Sequence, residues 1–178
     1  QKGTELRGKT LGIIGFGKIG QATAKIALGV GMNVVYFDPA IESCALTLRF
    51  FDEQEVSFEL KSNSKTEVLK TSDFISIHVP AQKGYILGAQ EFEHMKDGVG
   101  VINAARGGTL DEVALIDALE NKKVAFAALD VFESEPSPEI RILMHPNISL
   151  SPHIGAATLE AQDRIGLELA NQIITLLK

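Results

Sequence analysis

Apolar runs alternate along this chain with stretches of helical spacing. Six short runs read as strands: "TLGIIGF" (10–16), "NVVYFD" (33–38), "DFISIHV" (73–79), "GVGVINA" (98–104), "VAFAALDV" (124–131) and "NISLS" (147–151). They are nearly continuous in apolar residues rather than alternating, as strands covered on both faces are. After the first comes "KIGQATAKIALGVG", with Ile19, Ala22, Ile26 and Ala27 at helical spacing and glycines at its end. Ser64 with Glu67 fits a capping box ahead of "VLKTS", and Thr109 with Glu112 fits another ahead of "VALIDALENKK". The final segment, "TLEAQDRIGLELANQIITLLK", reads as one long amphipathic helix. Strands separated by helices predict an α/β fold: a doubly wound, mostly parallel sheet of the Rossmann type, forming one domain over residues 1–178. Residues 39–62 break the pattern. They are expected to hold a short helix and an edge strand, and no chemistry is assigned to them.

Composition narrows the class. The 178 residues are 45% hydrophobic and 22% charged, a globular balance with enough length for a core. Net charge is −6 with no basic stripe, which argues against nucleic acid as a partner, because phosphate binding needs clustered Lys and Arg. The lone Cys44 allows no intrachain disulfide and reads as a small packing residue. His94 and His145 have no metal-ligand spacing, so no metal is expected. No run is apolar enough to span a bilayer, and the expectation is a cytoplasmic protein without a membrane partner. The chain opens at Gln1 rather than Met, which suggests a piece of something longer.

The first strand runs into Gly15-x-Gly17-x-x-Gly20, which opens the first helix. In that context each glycine has a use. Gly15 makes the tight turn, Gly17 lets backbone approach a pyrophosphate, and Gly20 lets helix pack on strand. The free N–H groups and positive dipole end of the helix suit a diphosphate. The second strand ends in Asp38, at the position of an acid that accepts from ribose hydroxyls and repels a 2′-phosphate. NAD rather than NADP is the expected cofactor.

In an open parallel sheet, ligands sit at the carboxyl ends of the strands. There the later strands deliver Arg106 in "ARGG", then Asp130, Glu133 and Glu135 in "ALDVFESEP", then His153 in "SPHIGA". Each alone reads as a surface charge or a loop histidine. An arginine, a carboxylate and a histidine at three successive strand ends are harder to dismiss.

These motifs, in this order, make the chain resemble the nucleotide-binding domain of the D-isomer-specific 2-hydroxyacid dehydrogenases. The resemblance runs from "ELRGKTLGIIGFGKIG" through "SDFISIHVP", "VINAARGGTLDE" and "ALDVFESEP" to "SPHIGAATLEAQ", sparing only residues 40–62. It implies a role for each matching position. Arg106 would hold the substrate carboxylate and carbonyl. His153 would be the general acid/base. Glu135, immediately before the proline, would be its paired acid. Asp130 would contact the nicotinamide carboxamide, and the backbone around Ala104 would face the ring. Gly155 and Ala156 would leave room for that ring. Lys18 and Ile19 would donate to the pyrophosphate, and His78, Val79 and Pro80 would line the adenine side.

The implied reaction is reversible hydride transfer between NAD and a D-2-hydroxy acid. Within the family, "GTELRGKT" and "HIGAATLEAQ" point toward the members acting on 3-phosphoglycerate, a step of serine biosynthesis. Reduction of hydroxypyruvate, glyoxylate or another 2-oxo acid is the alternative. A non-catalytic NAD-binding regulatory domain is a third reading, from another class. The family also has a substrate-binding domain, which this chain is expected to lack, and often dimerises through the domain seen here. "HVPAQKGYILG" is shorter than the family's usual stretch.

Overall fold

A computed structural model describes residues 3–177. Six strands form one parallel sheet: β1 (Thr10–Ile14), β2 (Asn33–Phe37), β5 (Phe74–Ile77), β6 (Val99–Asn103), β7 (Val124–Leu129) and β8 (Ile148–Leu150). Their order across the sheet is β2-β1-β5-β6-β7-β8. The chain therefore reverses its direction of winding at β1, and the crevice beside that strand's carboxyl end is where such sheets hold a dinucleotide. Register is set in part by β1, where Gly12 pairs with Val35 on one side and Ile75 on the other.

Helices cover both faces. α1 (Lys18–Gly29) lies on one, and α2 (Lys65–Thr71), α3 (Ala89–His94) and α4 (Glu112–Glu120) lie on the other. The buried face of α1 is not the Ile19/Ala22/Ile26/Ala27 set that helical spacing suggested. It is Gly20, Ala24 and Ala27, while Ile19 and Ile26 are each 71% exposed. The cause is close approach: a Cβ at Gly20 would collide with the Gly15 carbonyl oxygen, so only small residues fit between helix and sheet.

Two further expectations need correction. Ser64 does cap α2, accepting from the Glu67 N–H at 3.2 Å. Thr109 does not cap α4. The N-cap is Asp111, whose carboxylate accepts from the Ala114 N–H, and the fully buried Thr109 hydroxyl donates instead to the Arg106 carbonyl at 2.7 Å. Residues 39–62 hold no helix. They form an antiparallel hairpin, β3 (Ser43–Arg49) with β4 (Glu55–Lys61), outside the main sheet. Leu46 of β3 is buried with Tyr36 and Phe16, so the hairpin covers the α1 side of the core.

A short helix, α5 (Ile140–Leu143), precedes β8, and α6 (Leu159–Leu176) closes the described chain. α6 is amphipathic as expected, yet none of its residues is buried. Lys178, the last residue of the expected helix, lies outside the described residues.

Candidate active site

The carboxyl edge of the sheet carries two clusters. At β1, Gly15 adopts φ +93°, a conformation costly for any residue with a Cβ, and a Cβ there would meet the His78 carbonyl oxygen at 2.5 Å. Gly17 is the N-cap of α1. No side chain caps the helix, and a Cβ at Gly17 would meet nothing within 4 Å. The N-terminus of α1, with Lys18 and Ile19 in its first turn, is therefore open to an anionic ligand.

Asp38 follows β2 and is tied into the same corner. Its Oδ2 accepts from the Phe16 N–H at 2.7 Å, and its Oδ1 from the N–H groups of Ala40 and Ile41 at 2.8 and 3.1 Å. One side chain thus links the glycine loop to the end of the second strand. Ser62, leaving the hairpin, grips the Asp38 backbone from both sides. Its Oγ accepts from the Asp38 N–H and donates to the Asp38 carbonyl, each at 3.1 Å. Sequence reading missed Ser62, because its contact joins residues 24 apart through a hairpin it did not foresee. Beside Gly15, the His78 Nε2 lies 2.9 Å from the Ser76 hydroxyl, and burial lowers the imidazole pKa. Val79 packs on the core and Pro80 is exposed. This corner fits a dinucleotide: a turn only glycine makes, an uncapped helix end, and an acid placed by the fold.

The second cluster lies at β6, β7 and β8. His153 Nδ1 is 2.8 Å from Glu135 Oε2, which orients the imidazole through one nitrogen and leaves Nε2 outside that contact. The hydrogen bond from His153, then that from the Phe132 N–H, holds the Glu135 carboxyl below the usual glutamate range. His153 has φ +54°, unusual for a non-glycine residue, at the point where the chain turns the ring toward Glu135. Both side chains line a largely apolar cleft of about 460 Å³ with Phe132, Leu143, Leu150 and Pro152.

Asp130 builds this turn. It is 6% exposed, and its Oδ1 accepts from the Ser151 hydroxyl at 2.6 Å and the Ile154 N–H at 2.9 Å. Its Oδ2 accepts from the Gly155 N–H at 2.8 Å. Burial pushes its pKa up, but these donors and nearby His153 outweigh it and the carboxyl is held low. The reason for a glycine at 155 is also local: a Cβ there would come within 2.9 Å of Asp130 Oδ2. Ala156 follows, exposed, before α6.

Arg106 sits in the loop after β6, next to exposed Ala104. Its backbone is fixed from beneath, since its carbonyl accepts from both Asn103 Nδ2 and Thr109 Oγ1. Its exposed guanidinium donates to the Ala105 carbonyl at 2.6 Å. Glu133, read as a loop charge, instead bonds the N-terminus of α4. Among the described residues no group of three or more His, Cys, Asp or Glu could hold a metal ion, and no helix is long and apolar enough to cross a membrane.

Sheet order, glycine turn and acid together define a Rossmann-type dinucleotide-binding domain. The family described as "D-isomer specific 2-hydroxyacid dehydrogenase, NAD binding domain" matches residues 1–155, and the chain belongs to that family. It is 46% identical over 177 residues to a hydroxypyruvate reductase of Thermotoga maritima, covering 97% of this chain and 54% of that protein. It is 43% identical over 179 residues to a D-3-phosphoglycerate dehydrogenase of Archaeoglobus fulgidus, covering 99% of this chain and 32% of that protein. A glyoxylate reductase from Paecilomyes thermophila superposes with a TM-score of 0.84 at 37% identity, over 100% of this chain and 52% of that one. The chain thus spans about half, or less, of the length of these relatives. NAD is the cofactor of the family domain.

Proposed function

We propose that this chain is the NAD-binding half of an enzyme that moves a hydride between NAD and a D-2-hydroxy acid. The observation that carries the reading is the 2.8 Å His153–Glu135 pair, set on the same sheet edge as the open N-terminus of α1. When bound, NAD supplies the hydride acceptor at its nicotinamide ring. His153 Nε2 takes the hydroxyl proton during oxidation and returns one to the carbonyl oxygen during reduction. Glu135 holds the ring's orientation and offsets the charge it gains. Arg106 swings from Ala105 to clamp the substrate carboxylate with its guanidinium fork. Lys18 and Ile19 offer backbone N–H groups to the diphosphate, Asp38 takes the ribose, and His78, Val79 and Pro80 wall the adenine side. Ala104, Asp130, Gly155 and Ala156 border the nicotinamide.

The favoured substrate is 3-phosphoglycerate, giving 3-phosphohydroxypyruvate for serine synthesis in the cytoplasm by a homodimer. The naming of close relatives as D-3-phosphoglycerate dehydrogenases supports it. A hydroxypyruvate or glyoxylate reductase is the second reading, supported by relatives so named. An intact His153–Glu135 pair argues against a non-catalytic regulatory domain. The test is a substrate panel on the full-length enzyme with NAD and NADH. Turnover highest with 3-phosphoglycerate is expected. Preference for glyoxylate or hydroxypyruvate selects the second reading, and no turnover of any 2-hydroxy acid overturns both. Residues 1–178 by themselves are expected to bind NAD and turn over poorly, because they span only about half, or less, of the length of the relatives so named.

A further inference from the structure

Glu112 is a carboxylate that the chemistry above does not use. It is the first residue of α4 and only 7% exposed. Burial, and then the charges of Glu133 and Glu139, raise its pKa against a single bond that lowers it. That bond comes from the loop carrying Glu135: the Glu133 N–H donates to Glu112 Oε1 at 2.8 Å. The arrangement is reciprocal, for the Glu112 N–H donates to Glu133 Oε1 at 3.0 Å. The Tyr85 hydroxyl donates to the remaining Glu133 oxygen at 3.3 Å.

Between these contacts lies the peptide unit of Phe132 and Glu133, held at both ends. Its N–H is bonded to Glu112, and its carbonyl oxygen lies against Gly107, where a Cβ would collide with it. The N–H of Phe132, one peptide back, donates to Glu135 Oε1 at 2.9 Å. The other oxygen of Glu135 meets His153. A chain of direct bonds therefore leads from Glu112 through the loop backbone to the acid that orients the imidazole.

We propose that Glu112 is a positioning residue, which with Glu133 fixes the 132–133 peptide and thereby aims Glu135 at His153. The same latch keeps the Arg106 loop, through Gly107, in register with the Glu135 loop. This rests on the catalytic reading of the His153–Glu135 pair. The side chain is suited to the task because it presents a buried acceptor oxygen to a backbone donor, at a helix N-terminus whose dipole favours such an acceptor.

The test is a double-mutant cycle in the full-length enzyme. Glu112→Ala is expected to lower kcat about 10- to 100-fold, as small misplacements of catalytic groups do, with the Kd for NAD changed less than about 2-fold. Glu112→Gln retains an acceptor oxygen and is expected to stay within about 3-fold of wild type. On a Glu135→Gln background, Glu112→Ala is expected to cost less than about 2-fold more, because its effect passes through Glu135. Should Glu112→Ala fail to fold, Glu112→Asp, one methylene shorter, takes its place with the same expectations. Equal losses in both backgrounds, or parallel losses of kcat and NAD affinity, overturn the proposal alone. Wild-type turnover by Glu135→Gln overturns the catalytic reading and this proposal with it.

Discussion

The two ends of the site are built in opposite ways. At the proposed cofactor corner most of the groups are backbone, a glycine turn and a helix start, joined by one acid side chain, Asp38, and the loop of residues 78–80. At the proposed catalytic corner they are side chains, and apart from Arg106 they are held by partners far away in sequence. Glu135 meets His153 across 18 residues, Asp130 holds Gly155 across 25, and Glu112 holds Glu133 across 21. A diphosphate can be met by dipoles that any helix start supplies. Proton transfer needs one ring nitrogen at one place, so the fold must fix each side chain by tertiary contact.

That contrast can be broken most decisively at His153. His153→Ala in the full-length enzyme is expected to lower kcat by roughly 10²–10⁴, with NAD titrating as in wild type. Wild-type-like turnover would remove His153 from the chemistry, and lost NAD binding would show that the corners are not separable. At the other corner, Asp38→Ala removes a charged acceptor of three N–H groups and is expected to weaken NAD binding about 10- to 100-fold and to narrow its preference over NADP. NADP binding equal to or tighter than NAD in the wild type would contradict the role of Asp38.

Two glycines sharpen the comparison. Gly17→Ala meets open space and should leave the thermal midpoint nearly unchanged, while raising the Kd for NAD about tenfold. Gly155→Ala pushes a methyl at Asp130 and should cost about 1–3 kcal/mol of stability in denaturant unfolding. The reverse pattern would mean that Gly17 serves packing more than the cofactor, and Gly155 the cofactor more than the Asp130 turn.

The smallest effect concerns pH. Glu135 is held low chiefly by His153, so a carbon-13 titration of its carboxyl should show a midpoint below the ordinary glutamate range, returning toward it in His153→Ala. Since the folded value lies below the unfolded one, the linked stabilisation is complete above the unfolded glutamate pKa. It is lost as pH falls through the lowered folded value. Glu135→Gln should reduce turnover less than His153→Ala does and shift the pH profile of kcat; an unshifted profile would break the pairing.

Much of the fold was legible because six nearly continuous apolar runs alternate with helical segments, the pattern of a parallel sheet covered on both faces. The hairpin was not, since Leu46 and Phe58 pair across a turn that residues 39–62 do not announce. The face of α1 was misjudged because hydrophobicity favoured Ile19 and Ile26, whereas close packing on Gly15 admitted only small residues. The same spacing rule applied to α6 gave an apolar stripe of which nothing is buried in the described chain. Thr109 shows a further way to be misled: the capping pattern was present, but Asn103 and Arg106 offered its hydroxyl a buried alternative to α4.

By itself, the amino-acid order determined the features that neighbours in the chain impose on one another: the strands, the glycine turn, the helix start and the cofactor class they suit. Which carboxylates serve which loop was decided only when β6, β7 and β8 came side by side. The sequence marked Asp130 as a candidate but not the three donors it would hold, and it offered Glu112 only as part of a capping pattern. Burial made Glu112 and Asp130 need donors, and the nearest donors were backbone N–H groups of the loops that carry Glu135 and His153.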